Sequence, residues 1–127
     1  MKIRLIEPPP PMMHLWSYTA YPRLGLPMIG AALKDAGHDV LIYAPKGAPV
    51  DLADVESCDL VGLSTTTSTA PAAYRMADRL RAHGVPVVIG GSHVTFMPDE
   101  ALEHADYVAR GEGGEELMLE LVDVLHG

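Results

Sequence analysis

Cysteine is almost absent from this 127-residue chain, with Cys58 standing alone. One thiol excludes an internal disulfide and any zinc or iron–sulfur site built from several cysteines of this chain. Basic residues are few, nine Lys and Arg against seventeen Asp and Glu, and they are scattered. A net charge of -8 has the wrong sign for neutralising phosphates, so no nucleic-acid partner is expected. No apolar run approaches the length that a bilayer-crossing helix needs, so no membrane partner is expected either. The opening MKIRLIEPPPP has too short an apolar stretch for a signal peptide, and the expected location is cytoplasmic. Internal repeats are lacking, and Pro8 to Pro11 is the one low-complexity tract.

What is present reads as one ordinary globular domain spanning 1–127, at 48% hydrophobic and 20% charged residues. Lys2 to Glu7 is a short β-type run, cut off by prolines that cannot continue a ladder. Pro8 to Arg23 is a long loop carrying His14, Trp16, Tyr18 and Tyr21, and a loop of that length is usually functional. Leu24 to Ala36 has helical spacing (Leu26, Ile29, Ala32, Leu33) and stops at Gly37. Asp39 to Tyr43 is a second strand, Ala44 to Val50 a loop, and Asp51 to Ser57 a helical turn. Leu60 to Leu63 is a third strand and Ala70 to His83 a long helix closed by Gly84. Val85 to Ile89 is an apolar fourth strand ended by Gly90 and Gly91. Pro98 to His104 is a helix, Tyr107 to Ala109 a fifth strand and Glu115 to Leu125 a last helix. Such alternation predicts an α/β fold: a flavodoxin-like, Rossmann-like, doubly wound five-stranded parallel sheet of order 2-1-3-4-5 with helices on both faces.

In that order a ligand is expected outside the carboxyl ends of the strands, where the sheet reverses its direction of growth between strands 1 and 3. The least ordinary segments fall there. Ser64, Thr65, Thr66, Thr67, Ser68 and Thr69 offer hydroxyl and backbone donors near a helix start, suited to a phosphate, an amide or a ring nitrogen. Capping of the helix alone needs one such residue, not six. Gly90 and Gly91 either make a tight turn or let a flat ligand approach the backbone. Gly111-Glu112-Gly113-Gly114 either serves a helix N-terminus or is a flexible connection. His14 and His93 are more often ordinary loop histidines than ligands, and Cys58 has no activating neighbour in sequence. Trp16, Tyr18 and Tyr21 either stack on a flat ring or bury under the loop.

Four segments in order resemble a known family. Gly25-Leu26-Pro27 leading through Ala31-Ala32-Leu33 to Ala36-Gly37-His38-Asp39-Val40, then Val61-Gly62-Leu63-Ser64, Val88-Ile89-Gly90-Gly91-Ser92-His93 and Ala109-Arg110-Gly111-Glu112-Gly113 are similar to the cobalamin (B12)-binding domain that precedes radical S-adenosylmethionine domains. The resemblance covers almost the whole chain, and its specificity lies in the combination. It implies a cobalamin cofactor held by Pro9, Tyr21, Arg23, Gly25, Leu26, Ser64, Thr65, Thr66, Thr67, Gly90, Gly91, Ser92, His93, Gly111, Glu112 and Gly113. On this reading a leucine at Gly90 or Gly91 blocks the cofactor and spares the fold. The better-known cobalamin branch carries Asp-x-His-x-x-Gly, whose histidine ligates cobalt. With its glycine on Gly25, Ala20 and Pro22 stand where the aspartate and histidine would be. Base-off cobalamin without a protein histidine ligand is therefore expected, with Arg23, Tyr21 or solvent at the lower face.

The family's iron–sulfur cluster and S-adenosylmethionine belong to a following barrel, which needs a three-cysteine motif this chain does not contain. The resemblance thus implies the first part of a longer methyltransferase or an enzyme like the anaerobic magnesium-protoporphyrin ester cyclase, not catalytic alone. A free-standing cobalamin sensor or corrinoid methyl carrier would share every feature used so far. A flavodoxin-type FMN carrier is disfavoured because its hydroxyl-rich loop follows strand 1, where this chain has prolines. A phospho-receiver is disfavoured because Glu7, Ser64 and Arg110 stand where two acidic positions and a lysine are required.

Overall fold

The computed structural model describes residues 1–8, 25–44, 49–111 and 114–126. Within them the elements are β1 Lys2–Ile6, α1 Gly25–Asp35, β2 Asp39–Tyr43, α2 Leu52–Glu56, β3 Leu60–Thr65, α3 Ala70–Ala82, β4 Val87–Gly91, α4 Ser92–Phe96, α5 Pro98–Leu102, β5 Tyr107–Val108 and α6 Gly114–His126. The strands form one parallel sheet of order β2-β1-β3-β4-β5, as the alternation predicts. No helix among the described residues is long and apolar enough to cross a membrane.

Alternation along the strands splits the core into two layers. Ile3 and Leu5 of β1 pack with Leu60, Val88, Leu33 of α1, and Met118 and Val122 of α6. Ile6, Val61, Leu63, Val87 and Ile89 point the other way, toward Val55 of α2 and Ala73, Tyr74, Ala77 and Leu80 of α3. Both layers are nearly dry, as covered parallel strands require.

Several boundaries differ from those the sequence suggests; β4 itself runs on through Gly90 and Gly91, which the sequence reads as its end. β3 continues through Ser64 and Thr65, because β4 supplies partners for both in Gly90 and Gly91. β4 begins at Val87 rather than Val85, because the Val85 amide closes α3 by donating to Leu80 (3.0 Å) and Pro86 has no amide to give. Ser92 to Phe96, read as loop, forms α4 directly after β4. Its Val94 and Thr95 are weak helix formers, and the glycine pair reads as a turn.

Among the described residues one charged side chain lies inside. Arg4, at the middle of β1, is 4% exposed and engages Asp54 of α2 with two nitrogens, Nε to Oδ2 at 2.6 Å and Nη2 to Oδ1 at 3.2 Å. The Tyr43 hydroxyl donates to the same carboxylate at 2.8 Å, and Lys2 Nζ lies 3.1 Å away. The two-pronged hydrogen bond from Arg4 is the largest cause holding the Asp54 carboxyl well below the usual carboxylate range. Cys58 Sγ donates to the Asp54 carbonyl at 3.3 Å, and burial pushes its thiol pKa up to about 11.

Removing Asp54 strands a buried guanidinium, so Asp54→Ala should cost about 3 kcal/mol in urea unfolding at neutral pH. Because the folded-state pKa is depressed, the stabilisation is present above the unfolded value near pH 4 and is lost as pH falls toward the folded one. Asp54→Asn should accordingly flatten the acid side of the stability curve, and an unchanged curve would contradict the pairing. Cys58 should resist alkylation at pH 8 in folded protein and react once urea unfolds it.

Candidate functional site

The chain leaves β1 for β2 on one side and returns to place β3 on the other, so the sheet changes direction between β1 and β3. Helices that connect strands on opposite sides of such a point diverge and leave a crevice at the carboxyl ends. A cleft of about 340 Å³ lies there, between the sheet and helices α1 and α6. Its floor and walls are apolar: Leu5, Leu63 and Val88 from the strands, Leu26 and Ile29 from α1, and Met118 from α6. Ser64, Gly90, Gly91, Ala109, Gly111, Gly114 and Glu115 complete the lining.

The glycines keep this cleft open for different reasons. A Cβ on Gly62 would come within 2.8 Å of Leu5 Cδ2 and 3.6 Å of Val88 Cγ1, filling the floor. Gly114 approaches Ile29 so closely that a Cβ would lie 3.0 Å from its Cδ1. Gly91 has a φ of 105°, and a Cβ there would lie 2.2 Å from the Thr65 carbonyl oxygen. Gly90 is permissive, since a Cβ would meet only Ala109 at an ordinary 3.5 Å.

The hydroxyl run divides. Ser64 faces the cleft. Thr65 is 1% exposed and donates to the Gly90 carbonyl at 2.9 Å, tying the ends of β3 and β4 together. Thr69 is buried and accepts from the Thr66 amide at 2.9 Å, which folds the turn that starts α3. Thr67 Oγ1 lies 3.3 Å from His93 Nδ1, and the other ring nitrogen of His93 lies 3.1 Å from Glu100 Oε1 on α5. Both nitrogens of His93 are thus directed at protein groups. The hydrogen bond with His93 is the main cause lowering the Glu100 carboxyl pKa, followed by the contact with Tyr74. The Tyr74 hydroxyl is buried without a well-aligned hydrogen bond, and its ring stacks on His104 at 4.4 Å. Burial first, and the Glu100 carboxylate second, push the Tyr74 pKa up to about 12.

Of the residues the sequence nominates, Leu26, Ser64, Gly90, Gly91 and Gly111 come together around the cleft. Gly25 opens α1 beside it. Thr65, Thr66, Thr67, Ser92 and His93 are not among the lining residues: Thr65 is buried, while Thr67 and Ser92 are exposed. Pro9, Tyr21, Arg23, Glu112 and Gly113 lie outside the described residues, as do His14, Trp16 and Tyr18. Sequence reasoning passed over Leu5, Ile29 and Met118, which look like core residues, and quoted Gly62, Leu63, Val88, Ala109 and Gly114 in its motifs without nominating them for the cofactor. Glu115, an acidic residue in the first turn of α6 where it favours the helix N-terminus electrostatically, also lines the cleft.

An open, glycine-edged cleft at the switch point of a doubly wound sheet defines a ligand-binding α/β domain, and comparison with known proteins gives its family. The family model described as B12 binding domain matches residues 17–120, and the chain belongs to that family. An uncharacterised methyltransferase of Pyrococcus horikoshii is 34% identical over 137 residues, covering 98% of this chain and 29% of that protein. The anaerobic magnesium-protoporphyrin IX monomethyl ester cyclase of Synechocystis is 35% identical over 127 residues, covering 89% of this chain and 26% of that protein. The bacteriochlorophyllide d C-8(2)-methyltransferase of Chlorobaculum tepidum is 43% identical over 65 residues, 51% of this chain and 14% of that enzyme. The chain therefore spans less than a third of the length of these relatives. The N-terminal domain of a hypothetical protein from Thermotoga maritima shares the fold, with a TM-score of 0.58 at 22% identity over 91% of this chain and 93% of that domain.

The structure separates the two glycines that the sequence treats alike. Gly90→Ala should leave the thermal midpoint within a few degrees. Gly91→Ala should cost at least about 2 kcal/mol, because the backbone conformation and the Thr65 carbonyl both oppose a side chain. A leucine therefore spares the fold only at Gly90, where it would fill the cleft. Thermal melts of the two alanine variants check this, and equal melting points would contradict the strand-end geometry.

Proposed function

We propose that this domain seats cobalamin against the carboxyl ends of β3 and β4 and presents it to a radical S-adenosylmethionine domain, for methyl transfer or oxidative cyclisation. The cleft is the observation that carries this reading: apart from Leu5, its apolar floor and its glycine edge lie inside the span that matches the B12-binding family. The residues present fit the group. A slit floored by Leu5, Leu26, Ile29, Val88 and Met118 accepts a flat, weakly polar heteroaromatic surface. Ser64 and the backbone at Gly90, Gly91 and Gly111 offer polar groups along its edge. When bound, cobalamin supplies methyl carriage or electron transfer, and the protein supplies orientation and a dry surface.

In this reading the protein gives cobalt no histidine. Pro22 stands where the ligating histidine of the better-known branch would be, and His93 is engaged by Thr67 and Glu100. The cofactor would then be held base-off. The relatives named for methyl transfer and ring closure extend well beyond the matched region, which leaves room in them for a partner domain carrying the iron–sulfur cluster and S-adenosylmethionine. Such a protein would work in the cytoplasm, and its substrate would be chosen by that partner domain.

Titration of the protein with hydroxocobalamin, followed by ultraviolet–visible spectroscopy and gel filtration, tests the assignment. The expected result is co-elution with a base-off spectrum, abolished by Gly90→Leu with circular dichroism unchanged. A base-on or histidine-ligated spectrum would overturn the coordination proposed, and no binding by a chain that includes the downstream region would overturn the cofactor.

A further inference from the structure

Thr95 of α4 sits behind the cleft, and neither the sequence reading nor the lining includes it. Its hydroxyl donates to the Gly91 carbonyl at 3.0 Å and accepts from the Gly111 amide at 3.1 Å. The first bond is a common one, a helical threonine reaching the carbonyl four residues back. The second is not local, since Gly111 lies sixteen residues on, beyond β5. Gly91 and Gly111 both line the cleft, and both have positive φ, 105° and 76°.

Backbone pairing does not hold these two glycines together. The last registered pair between β4 and β5 is Ile89 with Val108, followed by one bond from the Ala109 amide to the Ile89 carbonyl at 2.9 Å. Past that point the strands part, and among the described residues the Thr95 hydroxyl is the polar link between the two segments. Gly111 is exposed and carries no side chain, so little besides this bond fixes its amide. The rest of α4 is anchored on the opposite side, where His93 meets Thr67 and Glu100.

We propose that Thr95 is a positioning residue for the cofactor cleft: one hydroxyl, donating to Gly91 and accepting from Gly111, sets the width of its opening. The proposal rests on the reading of the cleft as the cobalamin site, but its geometry can be measured without cofactor.

The test uses T95V, close in shape but without the hydroxyl, T95A, which removes hydroxyl and bulk together, and T95S, which keeps the hydroxyl. Hydrogen exchange of the Gly111 amide is followed by NMR in cofactor-free protein, and hydroxocobalamin affinity by titration. T95V and T95A should each speed Gly111 exchange and weaken hydroxocobalamin binding by roughly tenfold, the loss expected for one removed hydrogen-bonded link. T95S should restore both to within about twofold of wild type. Unchanged affinity in T95V and T95A would overturn the positioning role, leaving Thr95 a local helix bond. A Gly111 amide that exchanges equally fast in all four proteins would overturn the link itself. Failure of a wild-type chain that includes the downstream region to bind hydroxocobalamin would overturn the cobalamin reading instead, while Gly111 protection in the cofactor-free series would still support the link.

Discussion

The pairing of β3 with β4, which sets Ser64 opposite Gly90 and Thr65 opposite Gly91, is the constraint from which the rest of the cleft follows. Two parallel strands that stop at the same level present their last carbonyls and amides on one line. Thr65 commits its hydroxyl to the Gly90 carbonyl and so locks that level. Gly91, pressed against the Thr65 backbone, must take a conformation open to glycine and turns the chain straight into α4. No connecting loop intervenes, so the edge of the cleft is defined by backbone held in a ladder rather than by mobile side chains. That rigidity is the condition for a preorganised site, since ordering a loose edge on binding would cost affinity.

The two faces of the sheet carry different duties. On the α2 and α3 side the packing is continuous, and the single charged intruder, Arg4, is matched by Asp54, Tyr43 and Lys2. Unbroken contact and a fully engaged ion pair leave little room for anything but stability on that side. On the α1 and α6 side Gly62 omits a side chain from the middle of β3, and the helices stand apart above Leu5 and Val88. That vacancy costs some packing.

The fold was legible because a parallel sheet writes itself plainly: Leu60 to Leu63 and Val87 to Ile89 are apolar without alternation, and Gly37 and Gly84 punctuate the helices. The edge of the site was legible where it departs from core chemistry, at Ser64, Gly90, Gly91 and Gly111. The floor was not, because Leu5, Ile29, Val88 and Met118 look the same whether they face a helix or a ligand. Nor could the hydroxyl run be sorted. Whether Thr65 or Ser64 faces the cleft depends on how far β3 continues, and that is decided by partner residues 26 positions on, Gly90 and Gly91. His93 illustrates the same limit: its neighbours Thr67 and Glu100 come from other elements, and no spacing in the sequence announces them.

The walls of the cleft come from the first and last helices of the described chain, Leu26 and Ile29 of α1 and Gly114, Glu115 and Met118 of α6. A molecule seated between them touches segments nearly ninety positions apart and acts as a removable crosslink. Bridging so long a stretch restricts the open forms of the chain far more than any contact within one helix could. Occupancy of the cleft is therefore coupled to the integrity of α6 and to its seat against α1.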